Sequence, residues 1–101
     1  MNEPAARVVE REMGYTSTEF AAVLPAAMRD WTVAGGPSRW QVSGPRQRAI
    51  ATIEIRALPA RVIGALRIPV LAVSIDLRAA SDTLAMEFMR RFERGFHRGG
   101  G

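Results

Sequence analysis

Residues 69–98 read PVLAVSIDLRAASDTLAMEFMRRFERGFHR, and the hydrophobic period changes inside this stretch. From Val70 to Leu77 the period is two. Leu71, Val73, Ile75 and Leu77 point one way and Val70, Ala72, Ser74 and Asp76 the other, which describes a β-strand. Pro69 opens that strand, at a position where a missing N–H is tolerated. Ser81-Asp82 then offers a helix cap, and the period becomes 3.6. Leu84, Ala85, Phe88, Met89, Phe92 and Phe96 share a broad arc, while Thr83, Glu87, Arg90, Arg91, Arg94, His97 and Arg98 occupy the opposite one. Gly95 inside the helix costs about 1 kcal/mol relative to Ala. A strand with one buried face, followed by a helix with one buried stripe, marks an α+β domain in which the phenylalanines dock on a sheet.

Upstream of this stretch, Thr16 and Glu19 have capping-box spacing, and Phe20, Val23, Leu24, Ala27, Met28 and Trp31 recur at helical intervals. This predicts a helix over about 17–29. Pro25 should kink it or end it near Leu24, because it forfeits one backbone bond and crowds the Ala21 carbonyl. Trp31–Val33 and Arg39–Val42 flank Ala-Gly-Gly-Pro-Ser, a hairpin signal. Ala49–Ala57 alternates, with Ala51, Ile53 and Ile55 on one face and Ile50, Thr52, Glu54 and Arg56 on the other. Leu58-Pro59 should stop that strand. Ala60–Leu66 reads equally as a helical turn or a bent strand. Residues 1–14 are polar and uneven and are expected to be loosely ordered. The expectation is therefore one α+β domain over 15–98 in the order α-β-β-β-β-α. It comprises a small antiparallel sheet of about four strands with two amphipathic helices on one face, and a flexible glycine tail at 99–101.

Composition narrows function mainly by exclusion. All fourteen Lys-plus-Arg residues are arginine; there is no cysteine and one histidine, His97. That removes a thiolate nucleophile, a Schiff-base amine and an imidazole metal cluster. No serine stands in a recognisable triad motif, and Asp76 with Asp82 reads as a surface acid and a cap rather than an acid–base pair. The chain reads as non-catalytic, with no cofactor and no metal. No apolar run is long enough to span a membrane, and residues 1–13 lack the apolar core of a secretory signal, so a cytoplasmic protein is expected. Charge is uneven. Residues 1–37 hold three arginines and five acids, residues 38–101 eleven arginines and five acids, for a net charge of +4.

The candidate partner-binding set is Arg90, Arg91, Arg94 and Arg98 on the last helix, with Tyr15 and Trp40. An acidic protein surface is the expected partner, since guanidinium groups suit carboxylates. A nucleic acid is the alternative, using the same face with Arg39, Arg46 and Arg48 and with Trp40 as a stacking ring. The terminal Gly-Gly-Gly raises a third reading, a carrier modified at its C-terminal glycine, although such tails follow a strand and this one follows a helix. A homo-oligomer is possible if apolar surface is left exposed.

Gly14-Tyr15-Thr16-x-x-Glu19-Phe20-x-x-x-Leu24-Pro25, together with Phe92-x-x-x-Phe96-x-Arg98-Gly-Gly-Gly, resembles a pattern shared by small uncharacterised bacterial proteins of about this length. The resemblance implies no activity. It makes Tyr15 and the Arg-Gly tail candidates for a role beyond solubility.

Overall fold

The computed structural model describes residues 7–46 and 48–97. Seven elements follow in order: β1 (Val8–Met13), α1 (Ser17–Met28), β2 (Thr32–Gly35), β3 (Arg39–Ser43), β4 (Ala49–Ile63), β5 (Leu66–Asp76) and α2 (Asp82–Gly95). All strands pair antiparallel in one sheet of order β1-β5-β4-β3-β2. The α+β class and the two helices agree with the sequence, but the sheet has five strands, not four. Phe20, Leu24 and Met28 of α1 join Phe88 and Phe92 of α2 and the inward residues of the sheet, among them Ile53, Leu71, Val73 and Ile75, in one core cluster.

The additional strand is β1, which replaces the loose segment expected before Gly14. Its register sets Val9 opposite Ile75, Arg11 opposite Val73 and Met13 opposite Leu71. These three residues share the helix-facing side, and Glu10 and Glu12 take the other. Arg11 interrupts the apolar alternation because it does not need to be buried: its Nη2 reaches Glu93 Oε2 of α2 at 2.7 Å. Arg7 fastens the start of the strand. Its carbonyl accepts from Leu77 N at 2.7 Å, its guanidinium donates to Ala80 O at 2.8 Å, and it pairs with Asp82.

Leu58-Pro59 does not end β4, which runs on to Ile63. Two facts about the sheet explain this. β3 stops alongside β4 at the Arg39–Glu54 pair, so the end of β4 has β5 as its only strand neighbour. The register also shifts between Leu58 and Arg61, so that Pro59 and Ala60 lie against Pro69 alone. Neither proline owes a ladder hydrogen bond at such a bulge. Pro69 is accordingly an interior residue of β5, not its first. The ambiguous segment from Ala60 to Leu66 resolves as a two-residue hairpin at Gly64-Ala65. Gly64 has φ of +59° at the first turn position, which type II′ turns reserve for glycine.

A second bulge, between Val42 and Ser43, changes another expectation. Val42 pairs with Ala51 and Ser43 with Ala49, leaving Ile50 as the extra residue. Ile50 is fully buried beside Ala51, although strict alternation would put it on the open face.

Both helix starts are as read. Glu19 N donates to Thr16 Oγ1 at 3.1 Å and Thr16 N to Glu19 Oε1 at 2.9 Å, and Leu84 N donates to Ser81 Oγ at 3.2 Å. α1 runs through Pro25 to Met28; Pro25 is on the exposed side, where water can serve the Ala21 carbonyl. Gly95 is a packing requirement, not a blemish. A Cβ there would lie 2.3 Å from Ala27 Cβ and 2.9 Å from Ala27 Cα, so its absence lets the two helices touch. Among the described residues no helix is long and apolar enough to cross a membrane.

Candidate functional site

The cationic face of α2 divides in three. Arg91 is not available to a partner. Its side chain is 14% exposed, and it donates to Glu87 Oε2 at 2.8 Å, to Met28 O at 2.5 Å and to Asp30 Oδ1 at 2.9 Å. Its guanidinium also lies 4.0 Å from the Trp31 ring centroid. α1 has no basic residue in its own last turn. Arg91 supplies that charge from the neighbouring helix, against the exposed carbonyls and negative dipole end of α1. Arg90 is 69% exposed and among the described residues pairs only with Glu87. Arg94 is exposed and makes no ion pair among the described residues. Arg98 lies outside the described residues, as do Gly99–Gly101.

Tyr15 and Trp40 belong to the core. The Tyr15 hydroxyl donates to Phe96 O at 3.0 Å, and its ring meets the Phe96 ring edge-on at 5.3 Å. It ties the entry of α1 to the end of α2. Trp40 is buried with its ring 5.5 Å from Phe20. Gly36, at φ of +105°, leaves room for it: a Cβ there would come within 2.9 Å of the indole Nε1. Trp40 therefore offers no stacking surface. Arg39 is paired with Glu54, whereas Arg46 and Arg48 are exposed in the β3–β4 connection.

A groove that the sequence did not reveal lies between β1 and the end of α2. It encloses about 430 Å³. Met13, Phe92 and Phe96 give it an apolar lining, and Arg11, Glu93 and His97 give it a polar one. Its residues lie far apart in sequence and are brought together by the register of β1 against β5 and by the contacts of α2 with Arg11 and Tyr15. The signal available beforehand was Arg11, a lone charge among apolar positions of one parity.

The acids around the arginines stay ionised. Hydrogen bonds from Arg91 hold the Glu87 and Asp30 carboxyls below the usual carboxylate range. Arg78, donating at 2.8 Å, lowers Asp76 to about 2. Burial works against the charge on Arg91, but its bonds to Glu87 and Asp30 outweigh that and raise its affinity for the proton. Among the described residues no polar or charged residue is buried, and no group of three His, Asp or Glu is placed to hold a metal ion. Comparison with known proteins finds no matching family model, no matching curated protein and no matching solved structure.

Proposed function

We propose that the protein is a small non-catalytic binding module that meets an acidic protein surface through the outward arginines of α2. The observation that carries this is the state of Arg90 and Arg94. Both project from a helix fixed by Phe88, Phe92 and Arg91; among the described residues one is bound to Glu87 alone and the other has no ion pair. An exposed pair such as Arg90–Glu87 contributes about 0–1 kcal/mol, so it yields readily to a partner's carboxylate. A rigid helix loses less side-chain and backbone freedom on binding than a loop does. Arg91 plays no direct part, and its removal from the set leaves a narrower cationic stripe than the sequence suggested.

The test is a pull-down from the source cells with wild type, Arg90→Glu/Arg94→Glu, and Arg46→Glu/Arg48→Glu. A partner held by wild type and by the third protein, but lost by the second, supports the reading; equal recovery with all three overturns it. The nucleic-acid reading is favoured only by the exposed pair Arg46 and Arg48. It predicts binding in a gel shift that weakens steeply with salt and is lost in Arg46→Glu/Arg48→Glu. Modification at the terminal glycine remains a separate proposal, decided by the intact mass of the native protein.

A further inference from the structure

Both helices lie on one face of the sheet, and among the described residues no helix covers the other. The register arranges this open face in rows that cross the strands. One row reads Glu10, Ser74, Glu54 and Arg39, across β1, β5, β4 and β3. The next reads Glu12, Ala72 and Arg56, across β1, β5 and β4. Two contacts within the first row fit this assignment: Ser74 Oγ donates to Glu10 Oε2 at 3.2 Å, and Arg39 pairs with Glu54. A shallow trough of about 400 Å³ crosses the two rows, with the small Ala72 and Ser74 among the longer Glu10, Glu54, Arg56 and Arg39.

Past Arg56 the same face turns apolar. Leu58 stands opposite Val70, Arg61 opposite Ile68, and Ile63 opposite Leu66. Arg61 comes within 3.8 Å of Glu12 on β1, which fixes these residues to the open face. To do so it reaches across β5, so its charge is answered and its stem adds to the apolar surface. Val62 has the opposite parity and belongs to the helix side. Ile63 and Leu66 are 56% and 62% exposed. A sheet face meant for water alone is polar along its length; this one is charged over the body and aliphatic over the hairpin.

We infer that two copies of the chain stack open face to open face, about a two-fold axis that runs along the strands between β4 and β5. Such an axis lays each row on its own copy with the order reversed. Three matches follow from the one operation. In charge, Glu10 meets the partner's Arg39. In size, Glu54 and Arg56 of one sheet meet Ser74 and Ala72 of the other, so long side chains enter the trough over short ones. In polarity, Leu66 meets the partner's Ile63 and Val70 the partner's Leu58. Stacked sheets commonly align in this way, with strand directions within about 30°. An axis across the strands through the aliphatic patch would instead set Arg61 against its own copy and leave the charged rows uncovered. The helices form the outer layers of the stacked pair, so Arg90 and Arg94 stay open to a partner.

Sedimentation velocity on the full chain, over a range of about 1–200 μM, tests the stacking. Wild type should pass from monomer to dimer. Leu66→Asp should raise the dissociation constant at least about tenfold, whereas Val62→Asp, on the helix side of the same hairpin, should leave it unchanged. Glu10→Arg and Arg39→Glu should each raise it as well, because each sets like charges face to face twice in the dimer. Both positions are exposed, so far-UV circular dichroism should match wild type. An equimolar mixture of Glu10→Arg and Arg39→Glu is decisive. In the mixed dimer both contacts pair opposite charges, so dimer should return at concentrations where neither variant forms it alone. A mixture that stays monomeric overturns the stacking, as does a Val62→Asp that weakens the dimer as much as Leu66→Asp. So does a wild type that stays monomeric throughout, even if it binds another protein by this face.

Discussion

The body of the sheet and the arm that leaves it are made from the same two strands, yet they obey different rules. In the body, every second residue of β5 from Leu71 to Ile75 is buried under the helices, while Ala72, Ser74 and Asp76 stay on the other face. In the arm, Ile63 and Leu66 face each other across the turn with nothing over them. The difference is not in side-chain type, since both segments are aliphatic. It lies in what stands opposite: β1, β3 and two helices surround the body, and among the described residues the arm has only its own partner as a strand neighbour. Apolar alternation reports a capacity to be buried, and the neighbouring elements decide whether it is used.

That contrast breaks most sharply at Phe88. It is fully buried, so Phe88→Ala should cost about 3–5 kcal/mol, whereas Leu66→Ala should change monomer stability by less than about 0.5 kcal/mol, both read by urea denaturation. Equal losses would mean the arm belongs to the core. Arg91 sharpens the comparison within the body. Arg91→Lys keeps the charge but loses the fork that serves Met28 O, Asp30 and Glu87 together, and should cost about 2 kcal/mol; Arg94→Lys should cost nothing measurable. At Gly95, Ala gains up to about 1 kcal/mol of helix propensity but meets Ala27. The overlap should win, giving a net loss of about 1–2 kcal/mol, and a stabilised Gly95→Ala would show that the helices have room to part.

The smallest effect is in pH. Asp76, Asp30 and Glu87 all have lowered affinity for the proton in the folded state, with Asp76 at about 2. The sign follows. Their contribution is complete above the unfolded carboxylate value, near pH 4, and is lost as pH falls through the folded value. Solvent screening keeps it modest, since these groups are on the surface. The urea midpoint should fall between pH 5 and pH 2, and Arg91→Ala should reduce that fall by releasing Asp30 and Glu87.

How far the sequence spoke follows the same division. The part of β5 from Val70 onward, the stripe of α2 and the capping box of α1 are written in contiguous residues, and each was readable. β1 was missed because Arg11 stands at a helix-facing position, satisfied by Glu93 more than eighty residues away. The extension of β4 was missed because Pro59, which has no N–H, forbids a strand only where a neighbouring strand needs a backbone donor at that position. Ile50 was assigned to the wrong face because a bulge changes parity without leaving a mark in composition. The arginine face was legible as charge, but not as three different fates. The groove was illegible for the same reason as β1: it is formed by a pairing between distant segments.

The placement of β1 has a consequence for the order of events during synthesis. Arg7 and Leu77, joined across the sheet edge, are seventy positions apart in the chain. A ribosome therefore releases β1 long before β5, its strand partner among the described residues, emerges. Until then Val8, Val9 and Met13 have no ladder to join, and closing so wide a loop is slow relative to forming α1 or the β2–β3 hairpin. On loop-closure grounds the sheet should be completed from the middle outward, with β1 stitched in after the strands that pair locally.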